Sequence, residues 1–97
     1  MLTMKTPPHP GEMIGDSLEE MGVTVVDAAK ALGVTRQQLH NVIAGRSAIV
    51  PEMAYRLEKV LGSTADAWLR LQAAHELAQV RARASQIKVG KLRRKVA

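Results

Sequence analysis

The sequence contains no cysteine and no phenylalanine, and it has one tryptophan and one tyrosine. Without cysteine, disulfides and thiolate metal sites are excluded, and the composition suits a reducing cytoplasm. With so few aromatic rings, the core must be built from aliphatic side chains. No apolar run approaches the roughly 20 residues of a membrane-spanning helix, and the first residues lack the apolar stretch of a secretory signal. We therefore expect a cytoplasmic protein without a membrane partner.

Acidic residues are absent from the last seventeen positions. These seventeen positions carry a charge of +7, whereas residues 1–80 carry −2, so the net charge of +5 comes from the C-terminal end of the chain. Two interpretations stay open: the tail is a solvated, disordered end, or it adds nonspecific attraction to phosphate. We divide the chain into an extended arm (1–8), a folded domain (9–82) and a basic tail (83–97).

Patterns that would support catalysis or metal binding are also missing. The three histidines, His9, His40 and His75, lie far apart and have no metal-like spacing with acids. The sequence has no glycine-rich phosphate loop and no cysteine nucleophile. We expect no enzymatic activity, no catalytic residue, no metal site and no cofactor.

Apolar residues recur at helical spacing between about residues 10 and 82. In the first segment, Ile14, Leu18 and Met21 form one apolar stripe. Breaks predicted at Gly22, Gly33, Gly45 and Gly62 divide this region into five helices. Capping boxes are predicted where a Thr or Ser precedes a polar residue by three positions: Thr24 with Asp27, Thr35 with Gln38, and Ser63 with Asp66. No segment alternates like a strand, so the predicted fold is a compact, all-α, five-helix domain.

The stretch from Val25 to Val42 predicts a helix-turn-helix motif. Ala29 is small enough for two helices to cross closely, and Gly33 can adopt the left-handed conformation of a sharp turn. Val34, Leu39 and Val42 would anchor the second helix against the first. A plain αα-hairpin in a helical bundle would explain the same apolar positions.

The outward face of the predicted third helix favours DNA binding over a plain bundle. Its polar residues can all hydrogen-bond to a base edge or a phosphate, and none is acidic. We expect four of them to contact bases: Arg36, Gln37, His40 and Asn41. Thr35 would cap the helix and also touch phosphate, and Gln38 would take part in the capping box. Arg46 and Ser47 would hold backbone phosphate.

The last helix carries more apolar surface than a small core needs. Trp68 is either part of the core or part of a partner surface. Helix-turn-helix proteins commonly read two half-sites as dimers, so we expect a homodimer on an inverted repeat of double-stranded DNA. The predicted dimer seam consists of Leu69, Leu77 and Val80.

Several short motifs resemble the HigA antitoxins, a branch of the lambda-repressor-like (XRE-type) helix-turn-helix proteins. The residues that carry the resemblance are His9-Pro10-Gly11-Glu12, Ala28, Ala29, Leu32-Gly33-Val34-Thr35, Leu39, Gly45-Arg46, Met53-Ala54, Arg56-Leu57, Leu61-Gly62, Trp68-Leu69 and Leu71-Gln72-Ala73. The resemblance spans roughly residues 9–80. Many relatives have a Tyr and a second Trp where this sequence has Ala74-His75-Glu76-Leu77-Ala78.

The resemblance implies a type II antitoxin. Such a protein binds a HigB toxin, a ribosome-dependent mRNA endonuclease of the RelE type, and represses the operon that encodes both proteins. It implies operator contacts by Thr35, Arg36, Gln37, His40 and Asn41, with Arg46 at the DNA backbone. Two alternatives remain: a stand-alone transcriptional regulator without a toxin, and a protein-interaction module that has lost DNA binding.

Overall fold

A computed structural model describes residues 7–93 of the chain. It contains five α-helices followed by a short 3-10 helix: α1 (Pro10–Met21), α2 (Val25–Leu32), α3 (Arg36–Ile43), α4 (Pro51–Val60), α5 (Ala65–Ala82) and the 3-10 turn Ala84–Gln86. Within residues 7–93 there is no strand, and the all-α, five-helix prediction is confirmed. No helix in this range is long and apolar enough to cross a membrane. Residues 1–6 of the predicted arm and 94–97 of the predicted tail lie outside the described residues.

Side-chain caps explain where the helices begin. The Nδ1 atom of His9 accepts a hydrogen bond of 2.9 Å from the Gly11 amide at the start of α1. Thr24 caps α2 by accepting from the Asp27 amide, but the return bond of a capping box is not made there. α3 has both bonds of the predicted box between Thr35 and Gln38. These bonds satisfy amides that have no partner inside their own helix.

The predicted cap of the last helix is displaced by one residue. The N-cap of α5 is Thr64, whose hydroxyl accepts from the Ala67 amide at 3.0 Å. Ser63 was the predicted cap, but its φ of 59° places it in the left-handed region directly after Gly62, whose φ is 94°. An N-cap residue needs extended backbone, and Ser63 does not have it.

One aliphatic core joins the five helices. Its buried members are Ile14, Leu18, Ala28, Ala29, Leu32, Leu39, Val42, Ile49, Met53, Ala54, Leu57 and Trp68. Trp68 is 5% exposed and its indole N–H donates to the Gly62 carbonyl at 3.1 Å, so it belongs to the core. Of the apolar stripe predicted for the first helix, Ile14 and Leu18 are buried and Met21 is not. Met21 is the last residue of α1, where the chain turns away at Gly22, and its side chain is exposed.

The packing leaves one side of α3 open. α3 packs against α1 and α2, while α4 packs against α5 and α2. A Cβ atom on Gly11 would overlap the carbonyl oxygen of Val42, so α1 and α3 approach closely only because residue 11 is glycine. The rest of the helix surface of α3 is then free to carry polar side chains.

Candidate nucleic-acid interface

The helix-turn-helix consists of α2, a tight turn and α3. Ala29 and Leu39 are both buried where the two helices meet. Gly33 has a φ of 74° and ends α2, and the Val34 amide then donates to the Ala29 carbonyl at 3.0 Å. This left-handed helix ending satisfies α2 carbonyls that would otherwise lack partners. The geometry predicted for the turn is confirmed.

The outward side of α3 presents Arg36, Gln37 and His40, which are exposed, and Asn41, which is half-buried. The side-chain amide of Gln37 donates to Asn41 Oδ1 at 2.9 Å. This bond leaves the Gln37 carbonyl oxygen as an acceptor and the Asn41 amide nitrogen as a donor. Adenine offers a donor and an acceptor in the major groove. The pair is therefore arranged so that it could match one adenine edge.

Thr35 and Gln38 are occupied by the capping box. The Thr35 amide donates to Gln38 Oε1 at 2.8 Å, and the Gln38 amide donates to Thr35 Oγ1 at 3.0 Å. Both residues are exposed at the N-terminus of α3. The Thr35 hydroxyl hydrogen and the Gln38 amide hydrogens stay available to an outside acceptor such as phosphate.

The loop after α3 folds back onto that helix. The amides of Arg46 and Ser47 both donate to the Asn41 carbonyl, at 2.9 and 3.1 Å. The Arg46 side chain is exposed and Ser47 is half-buried. The eight residues predicted to contact DNA therefore come from three neighbouring places: the N-terminus of α3, its outward side, and the start of the loop that folds back onto it.

Gln72 of α5 holds the far end of the loop, a role that the sequence did not reveal. It is 5% exposed, and its Oε1 accepts from the Ile49 amide at 2.8 Å. Its amide nitrogen contacts Glu76 Oε1 at 3.2 Å. The sequence pattern that could have revealed this role is a glutamine one turn after the buried Trp68, on the inward side of a helix.

His9 and His75 also come together, although they lie far apart in the sequence. Their rings are 5.1 Å apart and nearly perpendicular. His75 Nδ1 donates to the Pro7 carbonyl at 2.7 Å, and its Nε2 accepts from Gln79 at 3.2 Å. Burial of the ring, and then the charge of His75, lower the pKa of His9 below 6.5. The neutral form of His9 is the one that can accept the Gly11 hydrogen bond.

The two histidines line a cleft of about 310 Å³ beside Arg46, Ser47 and Gln72. Among residues 7–93, no group of three or more His, Asp or Glu side chains is placed to hold a metal ion. The cleft lies between the start of α1, the loop after α3, and α5, and its lining is mostly polar.

The three residues of the predicted dimer seam have different environments. Leu77 is 45% exposed and Val80 is half-buried on the outer half of α5. Leu69 packs against the core instead. Of the three, Leu77 offers the most apolar surface to a partner.

Comparison with known sequences points to one family. The helix-turn-helix family matches residues 16–68. The chain is 45% identical over 78 residues to virulence-associated protein A' of Dichelobacter nodosus, covering 79% of this chain and 68% of the relative. It is 35% identical over 95 residues to the HTH-type transcriptional regulator YddM of Escherichia coli, covering 98% of each. It is 38% identical over 82 residues to antitoxin HigA-1 of Vibrio cholerae, covering 84% of this chain and 77% of the relative.

Solved structures agree with the sequence relatives. A putative antidote protein of a plasmid maintenance system from Nostoc punctiforme superposes with a TM-score of 0.81 at 34% identity, covering 84% of this chain and 90% of that one. Pseudomonas aeruginosa antitoxin HigA, solved with the higBA promoter, has a TM-score of 0.77 at 30% identity, covering 82% and 89%.

Proposed function

The chain belongs to the helix-turn-helix family that includes the HigA antitoxins, and we propose from this premise that it is a DNA-binding antitoxin. It acts in the cytoplasm, represses its own operon and neutralises a HigB-like mRNA endonuclease. Its work is binding rather than catalysis. The observation that carries this proposal is the acid-free outward side of α3, which is exposed beside a loop with an exposed arginine.

The proposed contacts divide into two kinds. Arg36, Gln37, His40 and Asn41 lie where base edges would enter, and Arg suits guanine while the Gln37–Asn41 pair suits adenine. Thr35, Gln38, Arg46 and Ser47 flank them and contact phosphates, which fix the register of the protein on the duplex. The division predicts which variants alter sequence preference and which only weaken binding.

Replacing Arg36 and Gln37 with alanine should remove the sequence preference. Each good base contact contributes about 1–3 kcal/mol to discrimination, so the Kd for the native promoter site should rise at least about tenfold. Fluorescence anisotropy with promoter and scrambled duplexes at two salt concentrations measures this. The matched control is Arg70→Ala with Gln86→Ala, an exposed pair of the same residue types away from α3. Equal reductions in promoter preference in both double variants would refute the assignment of α3.

A homodimer is part of the proposal because one copy presents a single α3 to a single half-site. Leu77→Glu places a charge on the exposed apolar part of α5 and should produce a monomer at micromolar concentrations. Operator binding should weaken in this variant, because the two copies of α3 that contact the two half-sites would no longer be linked. Light scattering with circular dichroism measures both the mass and the fold. A wild-type monomer, or a Leu77→Glu dimer, would contradict the seam.

A stand-alone transcriptional regulator is the second candidate. The similarity to YddM, which is named as an uncharacterized HTH-type transcriptional regulator, extends over nearly the whole of both chains and favours it. The two candidates differ in the need for a toxin. Co-expression with the adjacent reading frame, followed by an assay of ribosome-dependent mRNA cleavage, separates them: an antitoxin suppresses the cleavage, and a stand-alone regulator does not.

A further inference from the structure

Arg56 of α4 contacts the turn of the helix-turn-helix from behind. Its Nη1 atom donates to the Leu32 carbonyl at 2.8 Å and lies 3.4 Å from the Gly33 carbonyl. These carbonyls end α2, where the helix dipole is negative and a cation is favourable. The contact therefore joins α4 to the point that fixes the direction of α3.

Glu52 orients the guanidinium from one helical turn earlier in α4. Its Oε2 atom lies 3.1 Å from Nη2 and 3.4 Å from Nε of Arg56. Glu52 is largely exposed, so this ion pair adds little stability of its own. Its effect is to hold the planar fork so that Nη1 points at the α2 carbonyls.

Gly33 leaves room for the Arg56 guanidinium beside the turn. A Cβ atom at this position would lie 2.7 Å from Arg56 Nη1, closer than van der Waals contact allows. The left-handed backbone at this position favours glycine, and a side chain here would also displace the guanidinium from its place against the turn.

We propose that Arg56 is a positioning residue for DNA recognition, which acts by holding the α2–α3 turn so that α3 presents its outward side at a fixed angle. The proposal rests on the function proposed above. In this role Arg56 acts through the Leu32 and Gly33 carbonyls and not by touching a base or a phosphate.

The test compares Arg56→Met, Arg56→Lys and the control Arg70→Met, which removes an exposed arginine from α5. For each full-length variant, Kd is measured for the promoter duplex and for a scrambled duplex at one salt concentration. Arg56→Met should weaken promoter binding at least about fivefold, comparable to the effect of removing one base contact, with a much smaller change on the scrambled duplex. Arg56→Lys should restore part of the promoter affinity, because an ammonium can still reach the Leu32 carbonyl. Arg70→Met should match wild type.

Hydrogen exchange at the Val34 and Thr35 amides supplies a readout that does not depend on DNA. Exchange there should accelerate in Arg56→Met while the core amides of α5 stay protected. Glu52→Gln keeps Arg56 but weakens the contact that orients it, so its loss of promoter affinity should lie between those of wild type and Arg56→Met. This variant replaces Arg56→Met in the test if Arg56→Met does not fold. Unchanged promoter preference in folded variants, or lysine no better than methionine, would overturn the proposal. If wild type itself shows no promoter preference, the proposed function fails, and the exchange data still decide whether Arg56 holds the turn.

Discussion

His9 joins separate parts of the molecule through one imidazole ring. Its Nδ1 caps α1, its ring lies against Gly45 in the loop after α3, and its edge meets His75 of α5. Burial and His75 lower its pKa, while the Ser47 backbone and the carboxylates of Glu76 and Glu12 oppose that shift. A single side chain therefore makes the junction beside the loop proposed to contact phosphate sensitive to protonation.

Stability should fall in mild acid, and part of that fall should belong to His9. Its folded pKa lies below 6.5, so as the pH drops the unfolded chain binds this proton first. The contribution is fully present above about 6.5 and disappears as the pH falls through 6.5 toward the folded pKa. His9→Asn keeps a capping acceptor but cannot titrate. Urea midpoints at pH 8 and pH 5 should differ less in this variant than in wild type; identical differences would rule out the role of His9.

Among the elements, α1 and α3 make the most demanding contact. The Gly11 position faces the Val42 carbonyl with no room for a side-chain carbon, and Gly15 lies 3.3 Å, measured from an added Cβ, from Ile43 Cγ2. At Gly11 the backbone of α3 therefore packs directly on the backbone of α1, with no flexible side chain between them. A shift of α1 must therefore also move α3 and the surface proposed to face DNA.

Gly11→Ala should destabilise the domain by about 1–3 kcal/mol, because overpacking against backbone cannot be relieved by a rotamer change. The matched control is Gly90→Ala, since an added Cβ there meets nothing within 4 Å. Thermal and urea unfolding followed by circular dichroism would measure both. If the two variants are equally stable, the close approach of α1 and α3 does not exist in solution.

Local patterns predicted the helices well because glycine stops and threonine caps act within a few residues. Ser63 was misplaced because its left-handed backbone depends on the preceding Gly62 and is not visible in residue type. The outward side of α3 could be predicted by removing the buried Leu39 and Val42. The interactions that hold that side in place could not be predicted, since Gln72 reaches Ile49 across 23 positions and no local rule relates them.

Across the whole molecule, the excess of positive charge lies in the C-terminal segment and not in the folded core. Residues 81–93 are exposed throughout and contain no acid. They follow the part of α5 that lines the same cleft as Arg46 and Ser47, through Gln72 and Gln79. The basic tail therefore leaves the folded domain close to the surface proposed to hold phosphate, and we favour its interpretation as an added source of phosphate attraction.

Neutralising the tail should change the salt dependence of DNA binding more than its specificity. Replacing Lys88, Lys91 and Arg93 with glutamine should reduce the slope of log K against log salt by up to about 0.9 for each phosphate that the tail no longer neutralises. The ratio of promoter to scrambled affinity should stay the same. The double alanine variant of Arg36 and Gln37 should do the reverse, abolishing the ratio with little change in slope. An unaltered slope in the tail variant would mean that the tail is only a solvated end.

The solitary indole of Trp68 has a practical consequence. It is buried where α4 meets α5 and bonded to the Gly62 carbonyl, while the only tyrosine, Tyr55, is exposed. Its fluorescence should shift to longer wavelength when that junction opens, with no second tryptophan to blur the signal. Circular dichroism follows all five helices at once. Coincident transitions from the two signals would indicate a single cooperative unit. A fluorescence change that precedes the change in circular dichroism would show that α5 can detach while the other helices stay folded.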